Sequence, residues 1–310
     1  MNNQDLKQRW INFYVLGIAY AVFYFSRYNL STAHPLLKQL IGIPYNSYGA
    51  IVGTALLIYG LTVFLGGPLT DIFGGKKAIL AGSAGGSGTN ETWEWDGTNW
   101  TKKNPMFIPM PRDGHAMTYD AARGKVIMFG GYSSGLYYND TWEWDGENWL
   151  QRSPSVIPPL RIYHSMAYDS TREKVVMFGG TRDDTWEWDG INWMLMNPSV
   201  KPSARRSHAA AYDSIRKNMI LFGGHTNTSP NYNNETWVWN GVDWRQLNPP
   251  KTKPASRQGH SMTYDRARGR IIMFGGSMGT SGYSNETLQW DGEKWTLLNP
   301  QTRPDRKSVV

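Results

Sequence analysis

The chain has 310 residues, enough for two domains, and carries a net charge of +7 at pH 7 without a single cysteine. The charge divides as +4 before Ala81 (six Lys or Arg against two Asp) and +3 after it, and neither part holds a basic run of the kind that binds nucleic acid. Lack of Cys fits a bacterial membrane or cytoplasmic protein. No nucleophile, base and orienting group come together outside repeated positions, and the Gly pairs end strands instead of opening helices, so the chain reads as non-enzymatic and free of cofactor.

The first predicted elements are membrane helices. No charged residue lies between Trp10 and Arg27, nor between Lys38 and Asp71. These runs predict two transmembrane α-helices, at 11–35 and 48–65, since about 20 apolar residues cross ~30 Å of hydrocarbon. A cleaved signal peptide does not suit a long run followed by a second span. Lys7, Arg9, Lys76 and Lys77 flank the pair on one side. The positive-inside rule then puts the amino terminus and everything after Lys77 in the cytoplasm, at a bacterial inner membrane. Arg9-Trp-Ile-Asn, Tyr24-Phe-Ser-Arg-Tyr-Asn-Leu-Ser and Gly66-Gly-Pro-Leu-Thr-Asp-Ile-Phe-Gly-Gly-Lys-Lys together resemble the opening of a major facilitator superfamily transporter. The Tyr-x-x-Arg-Tyr-Asn pattern is similar to the organophosphate:phosphate antiporters, and the resemblance implies that Arg27 stands where their helix-one arginine contacts substrate phosphate. The other reading of Arg27 is a side chain reaching the outer interface, because the family's pathway needs a second half that two helices do not supply.

A junction follows. Gly75-Lys76-Lys77-Ala-Ile-Leu-Ala-Gly82 stands 49 residues before Gly124-Lys125-Val-Ile-Met-Phe-Gly-Gly131, and Trp93 stands 49 before Trp142. A third helix has thus been replaced, in register, by a repeat unit. This predicts a chimeric chain with a transporter-like segment at 1–81, a repeat domain at 82–306 and a tail at 307–310. Ser83–Thr89 matches the Ser-Gly-rich loops of later units and needs no special role as a linker.

From Thr92 onward one phrase returns five times: Thr92-Trp-Glu-Trp-Asp-Gly, then its variants at Thr141, Thr185, Thr236 and Thr287. A second phrase, His115-Ala-Met-Thr-Tyr-Asp with Lys125-Val-Ile-Met-Phe-Gly-Gly, returns from His164, His208 and His260 at spacings of 49, 44 and 52. Each unit parses into four short strands. Alternation sends both indoles of Trp-x-Trp to one sheet face and the middle residue to the other. The Asp-Gly and Asn-Gly pairs predict tight hairpins, with positive φ supplied by Asn or Asp before Gly, and not metal ligands. A period near 50 with Gly-Gly and a downstream Trp resembles the Kelch repeat of β-propellers. The expected fold is mostly β: an incomplete Kelch-like β-propeller of four full four-stranded blades plus a partial one, preceded by two transmembrane α-helices. The partial blade has two good strands between Thr92 and Lys102 and a possible improvised third from Lys77 to Leu80. Cut at both ends, such a propeller has an open edge through which it could self-associate.

Fourteen of the fifteen Trp fall in the repeats. Trp95, Trp144, Trp188, Trp239 and Trp290 recur at strand spacing, which suits inter-blade packing better than a stacking surface for sugar or bases. His115, His164, His208 and His260 recur likewise, with Arg112, Arg161, Arg205 and Arg257 three residues before them. A ring of four His could be imagined to bind metal, or the Arg ring an anion. Blade-equivalent positions are normally too far apart for ligands within about 2 Å of one point, so a backbone hydrogen bond between blades is the preferred role for His. Six Asn-x-Ser/Thr sequons, mostly just before the repeated Trp strand, are products of repetition. The Kelch resemblance implies a propeller without implying one activity. The family includes copper oxidases related to galactose oxidase, whose cofactor needs a cysteine; the lack of Cys excludes that chemistry, and the resemblance then points to proteins that bind protein or carbohydrate through variable loops. Here Gly131–Thr141, Gly224–Thr236 and Gly276–Thr287 are long, and Tyr132, Tyr137, Tyr138, Tyr232 and Tyr283 are the candidate ligand contacts.

Overall fold

The computed structural model describes residues 78–81 by their backbone, and 90–248 and 253–302 in full. The predicted helices at 11–35 and 48–65, Arg27 and the tail at 307–310 lie outside the described residues. Among the described residues no helix is long and apolar enough to cross a membrane.

Five antiparallel sheets follow one another along the chain. Sheet 1 has three strands, β1 (Ala78–Ala81), β2 (Thr92–Trp95) and β3 (Trp100–Lys103). Sheet 2 has β4 (Ala116–Asp120), β5 (Lys125–Phe129), β8 (Thr141–Trp144) and β9 (Trp149–Arg152), with a small hairpin of β6 (Tyr132–Ser133) and β7 (Leu136–Tyr137) inserted. Sheet 3 has β10 (His164–Asp169), β11 (Lys174–Gly179), β12 (Thr185–Trp188) and β13 (Trp193–Met196). Sheet 4 has β15 (Ala209–Asp213), β16 (Asn218–Phe222), β18 (Thr236–Trp239) and β19 (Trp244–Leu247), with β14 (Arg205–Arg206) paired to β17 (His225–Thr226) beside it. Sheet 5 has β20 (Ser261–Asp265), β21 (Arg270–Phe274), β22 (Thr287–Trp290) and β23 (Trp295–Leu298). The first strands of sheets 2 to 5 lie side by side, β4 on β10, β10 on β15 and β15 on β20. That is the blade arrangement of a Kelch-like propeller. In sheet 1 the improvised strand is present, Ala78 opposite Trp95 and Ala81 opposite Thr92.

Strand alternation explains how the blades adhere. In sheet 3, Trp186, Trp188 and Trp193 pack with Val175 and Met177 against Ile127 and Phe129 of sheet 2. The other face offers Val176 and Phe178 to Trp237, Trp239 and Trp244 of sheet 4. Trp144, Trp188, Trp239 and Trp290 are at most 1% exposed, whereas Trp95 is half-buried. In sheets 2 to 5 the Trp opening the last strand donates its indole N–H to the Thr of the preceding sheet: Trp149 to Thr92, Trp193 to Thr141, Trp244 to Thr185 and Trp295 to Thr236, all at 2.8–2.9 Å. Packing and a satisfied indole therefore repeat in one register from blade to blade.

Turn chemistry differs from the sequence expectation in one respect. Positive φ falls on Gly alone (+101° at Gly97, +105° at Gly146), while the Asp before it stays in ordinary backbone space. The Asp instead uses its carboxylate: Oδ1 of Asp145 accepts the N–H groups of Glu147 and Asn148, each at 2.8 Å. Those donors hold Asp145 below its usual acidity range. The Gly-Gly pairs answer a second demand. A Cβ on Gly179, at φ +81°, would sit 2.7 Å from the carbonyl of Arg205, where the chain leading into the next blade crosses.

The recurring Arg are structural. Arg161 is 2% exposed, and its guanidinium donates to the Gly179 carbonyl at 3.0 Å and to both oxygens of Asp184 at 2.9 Å. Arg112 does the same with Gly130 and Asp140, while Arg205 reaches the Gly223 carbonyl and one oxygen of Glu235, and Arg257 the Gly275 carbonyl and one oxygen of Glu286. Burial pulls Arg205 toward a lower pKa against the opposing pull of Glu235. Burial raises Glu235 in turn, but the donors Arg205 and Trp237 leave it below its ordinary value. The anionic partners precede the repeated Thr-Trp, a place whose acidic character sequence reading passed over.

The recurring His meet aromatic rings. His164, His208 and His260 lie edge-on to Phe129, Phe178 and Phe222 of the preceding sheet, with centroids 5.5–5.8 Å apart. In place of the expected backbone hydrogen bond, the Phe178 and Phe222 carbonyls approach His208 and His260 without reaching hydrogen-bonding geometry. Nε2 of His208 has a partner at 2.7 Å in Ser165, the residue after the preceding blade's His. At the equivalent places stand Ala116 and Ala209, and both ring nitrogens of His164 and His260 are without partners. Satisfying one such buried group is worth about 1–2 kcal/mol. Ala209→Ser is therefore expected to stabilise the protein by about 1 kcal/mol, and Ser165→Ala to destabilise it by a similar amount, in denaturant unfolding followed by tryptophan fluorescence.

Candidate ligand-binding loop face

The loops between the second and third strands of sheets 2, 4 and 5 are fixed at their base. Tyr132 bridges to Asp113, His225 to Arg206, and Ser277 to Gln258, in each case the segment leading into that blade's first strand. These lead-in segments are tied to one another: Tyr163 N–H donates to Gly114 O at 2.7 Å, Ser207 to Tyr163 at 2.8 Å, and Gly259 to Ser207 at 2.8 Å. The chain of bonds requires positive φ at all four residues, +63° at Gly114, +55° at Tyr163, +53° at Ser207 and +63° at Gly259. Gly meets this at no cost, whereas a non-glycine residue is strained by about 1 kcal/mol or more.

Tyr163 carries that strain while 45% exposed beside the loops. Sequence reading missed it. The signal was available in the alignment of the units, where the residue before the repeated His is Gly twice, Ser once and Tyr here.

The five candidate Tyr divide by environment. Tyr132 stacks obliquely on Tyr137 at 4.9 Å, Tyr138 lies under the Arg112 guanidinium at 4.2 Å, and Tyr232 meets His225 edge-on at 5.7 Å. Tyr132, Tyr138 and Tyr232 are half-buried and brace their loops. Tyr137 and Tyr283 are 50% and 52% exposed, and Leu136 beside Tyr137 is exposed too. Exposed aromatic and apolar groups thus stand on loops whose backbone is held by the propeller, an arrangement that presents contact area at low entropic cost. No three His, Asp or Glu side chains converge on a metal-sized point among the described residues.

A second exposed apolar series lies on the blade-to-blade connections, with Met106, Phe107 and Met110 in one and Val156, Ile157 and Leu160 in the next. Each connection is latched by the following blade's hairpin, Met106 N–H donating to Asn148 Oδ1 and Ser155 N–H to Asn192 Oδ1.

Comparison with known proteins agrees with the fold. Residues 185–309 match the family model described as the KLHDC2/KLHL20/DRC7 Kelch-repeats domain. A different part of protein space is touched by a probable sulfoacetate transporter of Cupriavidus necator, 30% identical to this chain over 77 residues. That match covers 25% of this chain and 18% of the transporter's length. Kelch repeats and a β-propeller are supported by sequence family and by sheet architecture together.

Proposed function

We propose that this protein is a non-enzymatic β-propeller module that binds a protein ligand through its loop face, tethered to a membrane by residues 11–35 and 48–65. Kelch propellers are in general binding modules, and the observation that carries the reading here is the exposure of Tyr137 and Tyr283 on loops tied to the blades, together with the strained, exposed Tyr163 of a lead-in segment. Exposed Tyr on a rigid base is the typical composition of a recognition surface, and substituting a central one typically costs 1–2 kcal/mol or more, roughly tenfold in affinity. Peptides selected on the full chain from a display library are expected to lose about tenfold in affinity on Tyr163→Ala and Tyr137→Ala. Ile191→Ala, at an exposed hairpin of sheet 3, is expected to leave affinity unchanged. Equal loss in all three, or selection of glycans alone on a glycan array, overturns the protein-ligand reading. A second copy of the chain is also among the partners this reading admits, through the uncovered end sheets.

The transporter likeness favours a second reading, in which the amino-terminal segment acts within an organophosphate antiporter and Arg27 holds phosphate. Phosphate-linked uptake that disappears on Arg27→Ala would favour it. Uptake indifferent to that substitution removes it.

A further inference from the structure

Each of the three junctions among sheets 2 to 5 is made of three parts. A Trp on the following sheet donates to a Thr on the preceding one. A Phe of the preceding sheet lies beneath that Trp: Phe129 under Trp193, Phe178 under Trp244 and Phe222 under Trp295, at 5.1–5.3 Å. An Arg from the first hairpin of the preceding sheet reaches a carbonyl in the last hairpin of the following one, Arg123 to Asp189, Arg172 to Gly241 and Arg216 to Asp291.

The two end sheets each carry one unfilled half of this junction. On sheet 5, Phe274 and Thr287 are partly uncovered, although Phe178 and Thr185 are fully buried. Arg268 touches only Asp265 and is 76% exposed. On sheet 1, Trp95 and Trp100 pair at 5.6 Å as in the other blades, yet Trp100 is 48% exposed where its counterparts are at most 1%. Neither the Trp100 indole N–H nor the Thr287 hydroxyl has a hydrogen-bond partner among the described residues.

We propose that sheet 5 of one molecule docks on sheet 1 of a second copy, with Trp100 of one chain donating to Thr287 of the other and covering its Phe274. The occupant is a second copy because the missing half-interface is one this chain itself carries, in a register it uses three times internally. The exposure of Trp100 shows that the chain's own sheet 5 does not cover it. Such a contact is heterologous, each molecule using a different face, so it propagates head to tail unless its rotation closes a ring. It is independent of the loop face and stands or falls without it.

The test is mass measurement by light scattering on the full chain purified in detergent. The wild type is expected to show a mass rising with concentration above that of one polypeptide. Trp100→Ser removes one half and Phe274→Ser with Arg268→Glu removes the other, and each variant alone is expected to be monomeric. Both alter exposed or partly exposed groups, and circular dichroism shows whether the fold survives; should Phe274→Ser disturb it, Arg268→Glu alone replaces the second variant. Mixing the two variants restores a single good junction, so the mixture is expected to give a species of two chains and none larger. A wild type that stays monomeric at all concentrations, variants that associate like wild type, or a mixture that stays monomeric overturns the proposal.

Discussion

Lowering the pH from 7 to 5 is expected to destabilise this protein by about 4 kcal/mol through two buried imidazoles alone, a large share of the stability of an ordinary domain. The cause is the file of buried imidazoles. His208 and His260 are pushed down to about 3, and His164 well below its usual value, by burial first and by the neighbouring Arg205, Arg257 and Arg161 second. The folded state therefore keeps these rings neutral, while the unfolded chain takes up protons below its ordinary pKa of about 6.5. Their contribution is complete above pH 6.5 and is lost as the pH falls from there toward 3. At pH 5 the difference is about 2 kcal/mol for each of His208 and His260, and His164 adds in the same direction. Carboxylates held below their usual range, such as Asp184 and Glu235, add their own loss only at lower pH. Denaturant midpoints at pH 8, 6 and 5 check this, and His208→Gln should reduce the loss by about 2 kcal/mol over that range. A stability that is flat between pH 7 and 5 would show that the rings are not closed to protons.

Arg205→Met is expected to cost about 3–5 kcal/mol, against less than about 0.5 kcal/mol for Arg268→Met, although both residues form ion pairs. The difference is burial. Arg205 is 1% exposed, and its removal leaves the Gly223 and Ser203 carbonyls without this donor and Glu235 without its cation, with only the Trp237 indole N–H still on its carboxylate among these partners. Arg268 pairs with Asp265 in solvent, where competing water and side-chain entropy cancel most of the gain. Arg205→Lys should recover only part of the loss, because one ammonium cannot reach all the acceptors that the planar fork serves. Urea unfolding of the three variants decides the matter. Equal destabilisation by Arg205→Met and Arg268→Met would mean that the buried forks contribute no more than surface pairs.

Much of the fold was legible because the sequence states it repeatedly. Trp-x-Trp alternation, the Gly-Gly stop and the Asp-Gly hairpin depend on neighbours in the chain and on period-two geometry, and both are visible without coordinates. Repetition also exposed the partial blade, down to the third strand near Ala78. What repetition could not show is which side chains meet across blades. Arg161 and Asp184 form one buried fork although 23 residues separate them, and Ser165 reaches His208 across 43.

The loop face divides along the same line. Its location in the long Tyr-bearing loops was readable from length and composition. That Tyr132, Tyr138 and Tyr232 brace the loops, that Tyr137 and Tyr283 face solvent, and that Tyr163 is exposed under backbone strain depended on the tertiary arrangement.

The sequence by itself determined the strands, the turns and the five-fold repetition, because these follow from local backbone preference and side-chain alternation. Only the tertiary structure decided which of the repeated groups are enclosed and which are left open. Enclosure belongs to the junction between two blades: Trp193, packed against sheet 2, is buried and hydrogen-bonded, and Trp100, the same residue in the same local sequence with no sheet packed on it among the described residues, is half-exposed.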